Sequence, residues 1–140
     1  MTDATGLIGL PDAKPRDVVV IKLPADSAYL SVLRTATAGL AARLDFTIDE
    51  IEDLRIAVDE ACAMLLPQAR PDADISCEFV LDDGAIHVGV SVLTVDGRQP
   101  SRDTFAWTVL SALAGEVDSS ADGDRRVTIT LRKRGSGSER

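Results

Sequence analysis

Glu60 is the residue of this chain whose type and setting suggest proton-transfer chemistry. It belongs to residues 47–66, which have helical periodicity, and it lies roughly opposite the apolar stripe of that predicted helix. Ile56 and Met64, one turn away on either side, are both apolar. A carboxylate can transfer protons, but one between two apolar side chains is either a solvated helix residue or the border of a second contact surface. The residues by themselves leave these interpretations open.

Arg34 is the second candidate, and its surroundings suggest recognition rather than catalysis. It flanks the apolar stripe of an earlier predicted helix together with Ser27, Ser31 and Ala38. Small residues around an arginine allow a partner backbone to approach, and arginine is a favoured interface anchor. A surface arginine beside small helix residues is also common, so both interpretations stand.

The other polar candidates favour structural roles. The dipeptide Asp96-Gly97 is typical of a turn. His87 is the only histidine and has no cluster of metal ligands near it in the sequence. Cys62 and Cys77 have neither disulfide-framework nor zinc spacing and are predicted to be small buried hydrophobic residues. No metal site is therefore expected.

The elements that must position these residues follow from apolar periodicity and turn signals. The periodicity predicts strands at residues 18–23, 76–81, 85–92 and 126–132 and helices at residues 26–44, 47–66 and 105–117. Residues 82–84, D-D-G, predict a hairpin turn, and residues 94–103 a polar loop. The order β-α-α-β-β-α-β predicts an α/β two-layer sandwich, with a mixed β-sheet covered on one face by helices. Residues 16–134 are expected to form one domain, between a flexible N-terminal arm (1–15) and a disordered tail (135–140).

The composition and net charge of the chain argue against some classes of function. The chain has 140 residues and a net charge of −8, which argues against direct binding to nucleic acid and favours basic protein partners. No apolar run approaches membrane-spanning length, and no secretory signal is visible. A cytoplasmic protein without membrane contact is the expectation.

The order of elements, together with L-D-F-T-I-D-E-I-E-D-L-R-I-A-V-D-E-A-C, resembles the serine-kinase anti-sigma factors of bacterial partner switching. These belong to the histidine-kinase-like (Bergerat-type) ATPase superfamily. The resemblance is closest to the actinobacterial branch of the family, which acts on sigma-F/sigma-B type stress or sporulation sigma factors. It rests on two segments, D-L-R-I-A-V-D-E-A-C and the later F-A-W-T-V-L-S-A-L-A. The resemblance covers about residues 17–133 and implies that superfamily's fold.

The resemblance also implies a degenerate nucleotide site. In kinase-active members a Glu acts as general base or orients the attacking group, and an Asn four residues later holds magnesium. Glu60 occupies the first position, but Met64 occupies the second, and a thioether is a poor ligand for Mg²⁺. Asp96 and Gly97 occupy the start of the adenine-binding D-x-G-x-G motif, whose two glycines are replaced by Arg98 and Pro100.

The third family motif, a glycine-rich phosphate loop, is missing. Residues 98–113 contain no glycine, although Arg98 and Arg102 could supply cationic contacts. No cofactor is therefore expected, and ATP with Mg²⁺ enters only under a kinase hypothesis.

The family assigns a partner-binding role to an arginine that aligns with Arg34, with Ser27 and Ser31 beside it. The function implied is an anti-sigma factor that sequesters an alternative sigma factor and is released when a STAS-type anti-anti-sigma protein competes. The alternative is an active ATP-dependent serine protein kinase that phosphorylates the anti-anti-sigma partner. Family members commonly dimerise through the sheet, so a homodimer is also expected.

Overall fold

A computed structural model describes residues 17–136, and the predicted arm at residues 1–15 and residues 137–140 of the predicted tail lie outside that range. Five strands and three α-helices follow in chain order within it: β1 Asp17–Pro24, α1 Leu30–Ala42, α2 Ile48–Leu65, β2 Asp74–Asp82, β3 Ala85–Leu93, α3 Phe105–Ala114, β4 Glu116–Ala121 and β5 Arg126–Arg134. Short 3₁₀ turns at Ser27–Tyr29 and Leu66–Gln68 precede α1 and follow α2. None of these helices is long and apolar enough to span a membrane.

The five strands form one sheet in the order β1-β2-β3-β5-β4. Side chains that alternate onto one face of the sheet, among them Phe79, Val90 and Ile129, pack with buried residues from all three helices. Burying this apolar face is what holds the helical layer to the sheet. The predicted two-layer α/β sandwich with helices on one face is therefore confirmed.

The prediction that the sheet is mixed was wrong, because every strand pair within residues 17–136 is antiparallel. The sequence-based scheme lacked β4. It continued the third helix to residue 117, whereas α3 ends at Ala114 and Gly115 adopts φ 94° as its C-cap. The added strand reverses the chain once more, so that β5 enters between β3 and β4 and runs antiparallel to both.

The second helix, α2, begins where its capping signal predicts. The Thr47 hydroxyl accepts the Glu50 N–H at 3.1 Å, and the Glu50 carboxylate accepts the Thr47 N–H at 2.8 Å. The same carboxylate accepts the N–H of Ser136 at 2.7 Å, which fastens the end of the described chain to the start of α2. The backbone hydrogen bond from Thr47 is the largest of the influences that lower the pKa of Glu50.

Most of the predicted helical stripe of α2 lies in the core: Leu54, Val58, Ala61, Cys62 and Leu65 are buried. Ile51 is only partly buried, and Ala57 is an additional buried position. Both cysteines are buried and free, as expected from their spacing. Burial raises the pKa of the Cys62 thiol to about 12, which makes it an unreactive packing residue.

Candidate functional site

Arg34 lies on α1 at the junction with α2. Its Nε atom donates to Oδ2 of Asp59 on α2 at 2.7 Å, and the two side chains are 42% and 33% exposed. Because the partners belong to different helices, the ion pair fixes the guanidinium relative to both of them. The arginine predicted to bind a partner is therefore accessible and held in one orientation.

The other two predicted partner-binding residues lie on the same stretch of chain. Ser31 is in the first turn of α1, three residues before Arg34, and is exposed. Ser27 is in the preceding 3₁₀ turn and is also exposed; Asp26 caps that turn by accepting the Ala28 N–H at 2.9 Å. The structure thus places both serines on the approach to Arg34, with no bulky side chain at their own positions.

The second helix completes this area. Ile56 lies one turn before Asp59 on α2 and is 39% exposed. We call the set Ser27, Ser31, Arg34, Ile56 and Asp59 the Arg34 surface. It combines an exposed apolar side chain and small neighbours with an arginine, a residue type that is enriched in binding hot spots. Sequence reasoning missed Asp59, because nothing local connects it to an arginine 25 residues earlier.

Glu60 and Met64 lie on α2 next to this surface, and both are half-buried. Met64 packs against the hydrophobic core. One carboxylate and one thioether do not fit Mg²⁺, which takes several oxygen ligands in octahedral geometry. The part of the chain that the structure describes contains no group of three or more His, Cys, Asp or Glu residues that could hold a metal ion.

Asp96 and Gly97 form a tight turn after β3. Gly97 has φ 72° and donates its N–H to the Thr94 hydroxyl at 2.8 Å, while the Asp96 carboxylate accepts the Arg98 N–H at 3.0 Å. A cavity of about 510 Å³ beside this turn is lined by neither Asp96 nor Glu60. Asp96 and Glu60 therefore do not line that cavity together. The hydrogen bonds of the turn are sufficient to explain the conformations of Asp96 and Gly97.

The polar loop after this turn is fastened to the edge strand β4. The Arg102 Nη2 atom lies 2.6 Å from Oδ1 of Asp118, and its guanidinium lies 4.9 Å from the centre of the Trp107 ring. The hydrogen bond from Arg102 is the main reason that the pKa of Asp118 is lowered. Arg102, which could have contacted a nucleotide, is thus already engaged, and Arg98, although 80% exposed, lies with its Nε atom 3.8 Å from Oδ2 of Asp96. Sequence reasoning missed Asp118 because it missed β4.

The chain is similar in sequence to several bacterial proteins named RsbW. No protein-family model matches the chain. It is 29% identical over 114 residues to the serine-protein kinase RsbW of Bacillus pumilus, covering 76% of this chain and 68% of the relative. It is 33% identical over 107 residues to the anti-sigma-F factor RsbW of Mycobacterium tuberculosis, covering 75% and 62%. For the serine-protein kinase RsbW of Bacillus subtilis the identity is 35% over 78 residues, covering 54% and 49%.

The chain therefore spans between about half and two thirds of the length of these relatives. A crystal structure of the RsbU and RsbW domains of a Mycobacterium tuberculosis protein superimposes with a TM-score of 0.66 at 18% identity, covering 85% of this chain and 32% of that one. This similarity shows that the chain shares the fold of that structure, in agreement with the predicted α/β two-layer sandwich.

Proposed function

We propose that this chain, which is similar to the RsbW anti-sigma factors and serine-protein kinases, is an anti-sigma factor that sequesters an alternative sigma factor of the stress or developmental type. One structural observation carries the proposal. Arg34, at the position the family uses to contact partners, is accessible and held in place by Asp59. The Arg34 surface provides the anchor, and the sigma factor would be kept from RNA polymerase simply by being bound.

Charge supports a protein partner of this kind. The chain carries a net charge of −8, and a basic partner would be attracted by that field before contact. A sigma factor has basic surfaces for binding DNA and polymerase, so its encounter with this chain should be fast and salt-dependent. Direct binding of nucleic acid by the chain itself is not part of the proposal, because phosphates would be repelled by the same charge.

Release requires only competition. A STAS-type anti-anti-sigma protein that binds an overlapping area would displace the sigma factor, because two ligands of one surface exclude each other. Such a switch operates where the polymerase is, so the proposed location is the cytoplasm. The chain is also proposed to form a homodimer through its β-sheet. Val20, on the sheet face away from the helices, is 57% exposed and could contribute apolar contact.

The test is a binding experiment with purified sigma factors of the sigma-F and sigma-B type from the source organism. The chain should form a stoichiometric complex with at least one of them in size-exclusion chromatography, and an anti-anti-sigma protein should dissociate it. If the chain binds none of these sigma factors, the proposal is wrong.

A second candidate function is a serine protein kinase acting on the anti-anti-sigma protein. Glu60 remains partly accessible on α2, and two of the relatives above are named serine-protein kinases. The anti-sigma proposal needs no cofactor, whereas the kinase requires ATP with Mg²⁺. Calorimetric titration with Mg-ATP and a phosphate-transfer assay separate the two. Transfer of phosphate to the anti-anti-sigma protein would establish the kinase.

A further inference from the structure

We propose that Asp59 is a positioning residue, which presets the Arg34 side chain to receive a hydrogen-bond acceptor on the partner. This inference rests on the proposed function, because it concerns the same surface. It adds a residue on α2, outside the first helix, to the machinery of partner binding.

The geometry of the Arg34–Asp59 ion pair leaves part of the guanidinium available for a partner. Asp59 takes only the Nε hydrogen of Arg34, at 2.7 Å. The two Nη groups carry the remaining N–H donors of a guanidinium, and they form no hydrogen bond with residues 17–136. With the Arg34 side chain 42% exposed, these donors remain available to an approaching protein. Asp59 and a partner acceptor would thus use different N–H groups and need not displace one another.

Fixing the Arg34 side chain in one conformation has a cost in conformational entropy. A free arginine on a helix surface samples many rotamers, and fixing them during association opposes binding. Asp59 has already restricted those rotamers in the unbound chain, so less conformational entropy is lost when the partner arrives. An ion pair this exposed contributes little to folding stability. The main effect of the Arg34–Asp59 ion pair is therefore to hold the Arg34 guanidinium in one position.

The competing effect is repulsion between Asp59 and an acidic acceptor on the partner. Arg34 lies between the two charges and neutralises the first of them, and both are close to solvent, where screening is strong. Preorganisation should therefore outweigh repulsion. Asp59→Asn, which keeps the shape of the side chain but removes its charge, should weaken partner binding.

The experiment is a double-mutant cycle with a purified sigma-F type sigma factor that binds the full chain. Dissociation constants are measured for wild type, Asp59→Asn, Arg34→Lys and the double variant. Asp59→Asn should weaken binding about fivefold when Arg34 is present and less than about twofold in the Arg34→Lys background, because Asp59 acts through the guanidinium.

Glu116→Gln is the matched control. Glu116 pairs with Arg132 at 3.2 Å between two strands, away from the helical layer, and its replacement should leave the dissociation constant unchanged. Unchanged or tighter binding by Asp59→Asn, or equal weakening in both backgrounds, would overturn the positioning role. A wild-type chain that binds no sigma factor would instead refute the proposed function, and this role with it. Thermal unfolding of each variant shows whether it is folded.

Discussion

Replacing Arg34 with alanine is the most direct perturbation of the proposed interface. The change removes a guanidinium that is 42% exposed and already fixed by Asp59. A hydrogen bond to a charged group contributes about 1.5–3 kcal/mol, and partial exposure places Arg34 toward the middle of that range. We therefore expect sigma-factor binding to weaken by about 2 kcal/mol, which corresponds to roughly a 30-fold higher dissociation constant.

Folding should barely change in the same variant. The Arg34–Asp59 pair is exposed enough that its loss should lower the free energy of unfolding by less than about 1 kcal/mol. Asp59 is 33% exposed, so its carboxylate remains hydrated when its partner is removed. Weaker binding with unchanged stability would therefore identify an interface effect rather than damage to the fold.

The assay is isothermal titration of the purified chain with the sigma factor, with urea unfolding of both variants as the measure of stability. Arg132→Ala is the control, since Arg132 is 30% exposed and also forms an ion pair between two elements, but on the sheet. It should bind the sigma factor as wild type does. If Arg34→Ala binds as tightly as wild type, Arg34 does not belong to the interface and the reasoning from its geometry fails.

Three further predictions concern the scaffold. Leu54→Ala should lower the free energy of unfolding by about 2–5 kcal/mol in urea titration, because Leu54 is fully buried; a loss below 1 kcal/mol would contradict this packing. Arg102→Ala should alter the fluorescence of Trp107, the only tryptophan, by removing the cation above its ring, and an unchanged spectrum would show that this contact does not persist in solution. Glu50→Ala should cost about 1 kcal/mol at neutral pH through loss of the helix cap, measured by thermal or urea unfolding. Because the pKa of Glu50 is lowered by folding, its contribution is fully present above its ordinary value of 4.5 and is lost as the pH falls through the folded-state pKa. The difference between wild type and Glu50→Ala should therefore shrink in acid, and a difference that is constant with pH would be inconsistent with an ionised cap.

The local parts of the fold could be predicted because their signals are local. The capping box of Thr47 and Glu50 spans four consecutive residues, and the structure forms both of its hydrogen bonds. The D-D-G turn lies between β2 and β3, where it was expected. The apolar stripe of α2 predicted most of the residues that this helix contributes to the core, because residues at helical spacing lie on one face and that face is the buried one.

The strand β4 had no comparable signal. Its sequence, E-V-D-S-S-A, has low β-propensity, and most of its residues are exposed because the strand lies at the edge and pairs with one neighbour only. It pairs with β5, which in turn pairs with β3, and no local pattern in the residues of β4 indicates that contact. Missing this one element also gave the wrong strand direction and hid the contact between Arg102 and Asp118.

The sequence by itself determined the helices that carry the candidate residues, a methionine rather than an oxygen-bearing side chain at position 64, and the resemblance to anti-sigma factors. Tertiary structure decided which charges meet. The chain has 23 acidic residues, and composition alone does not say which of them pairs with a given arginine. Only the packing of α1 against α2 brings Asp59 to Arg34, and only the edge strand brings Asp118 to Arg102. Ion pairs between distant segments depend on where side chains end up in space, and no local pattern encodes that position.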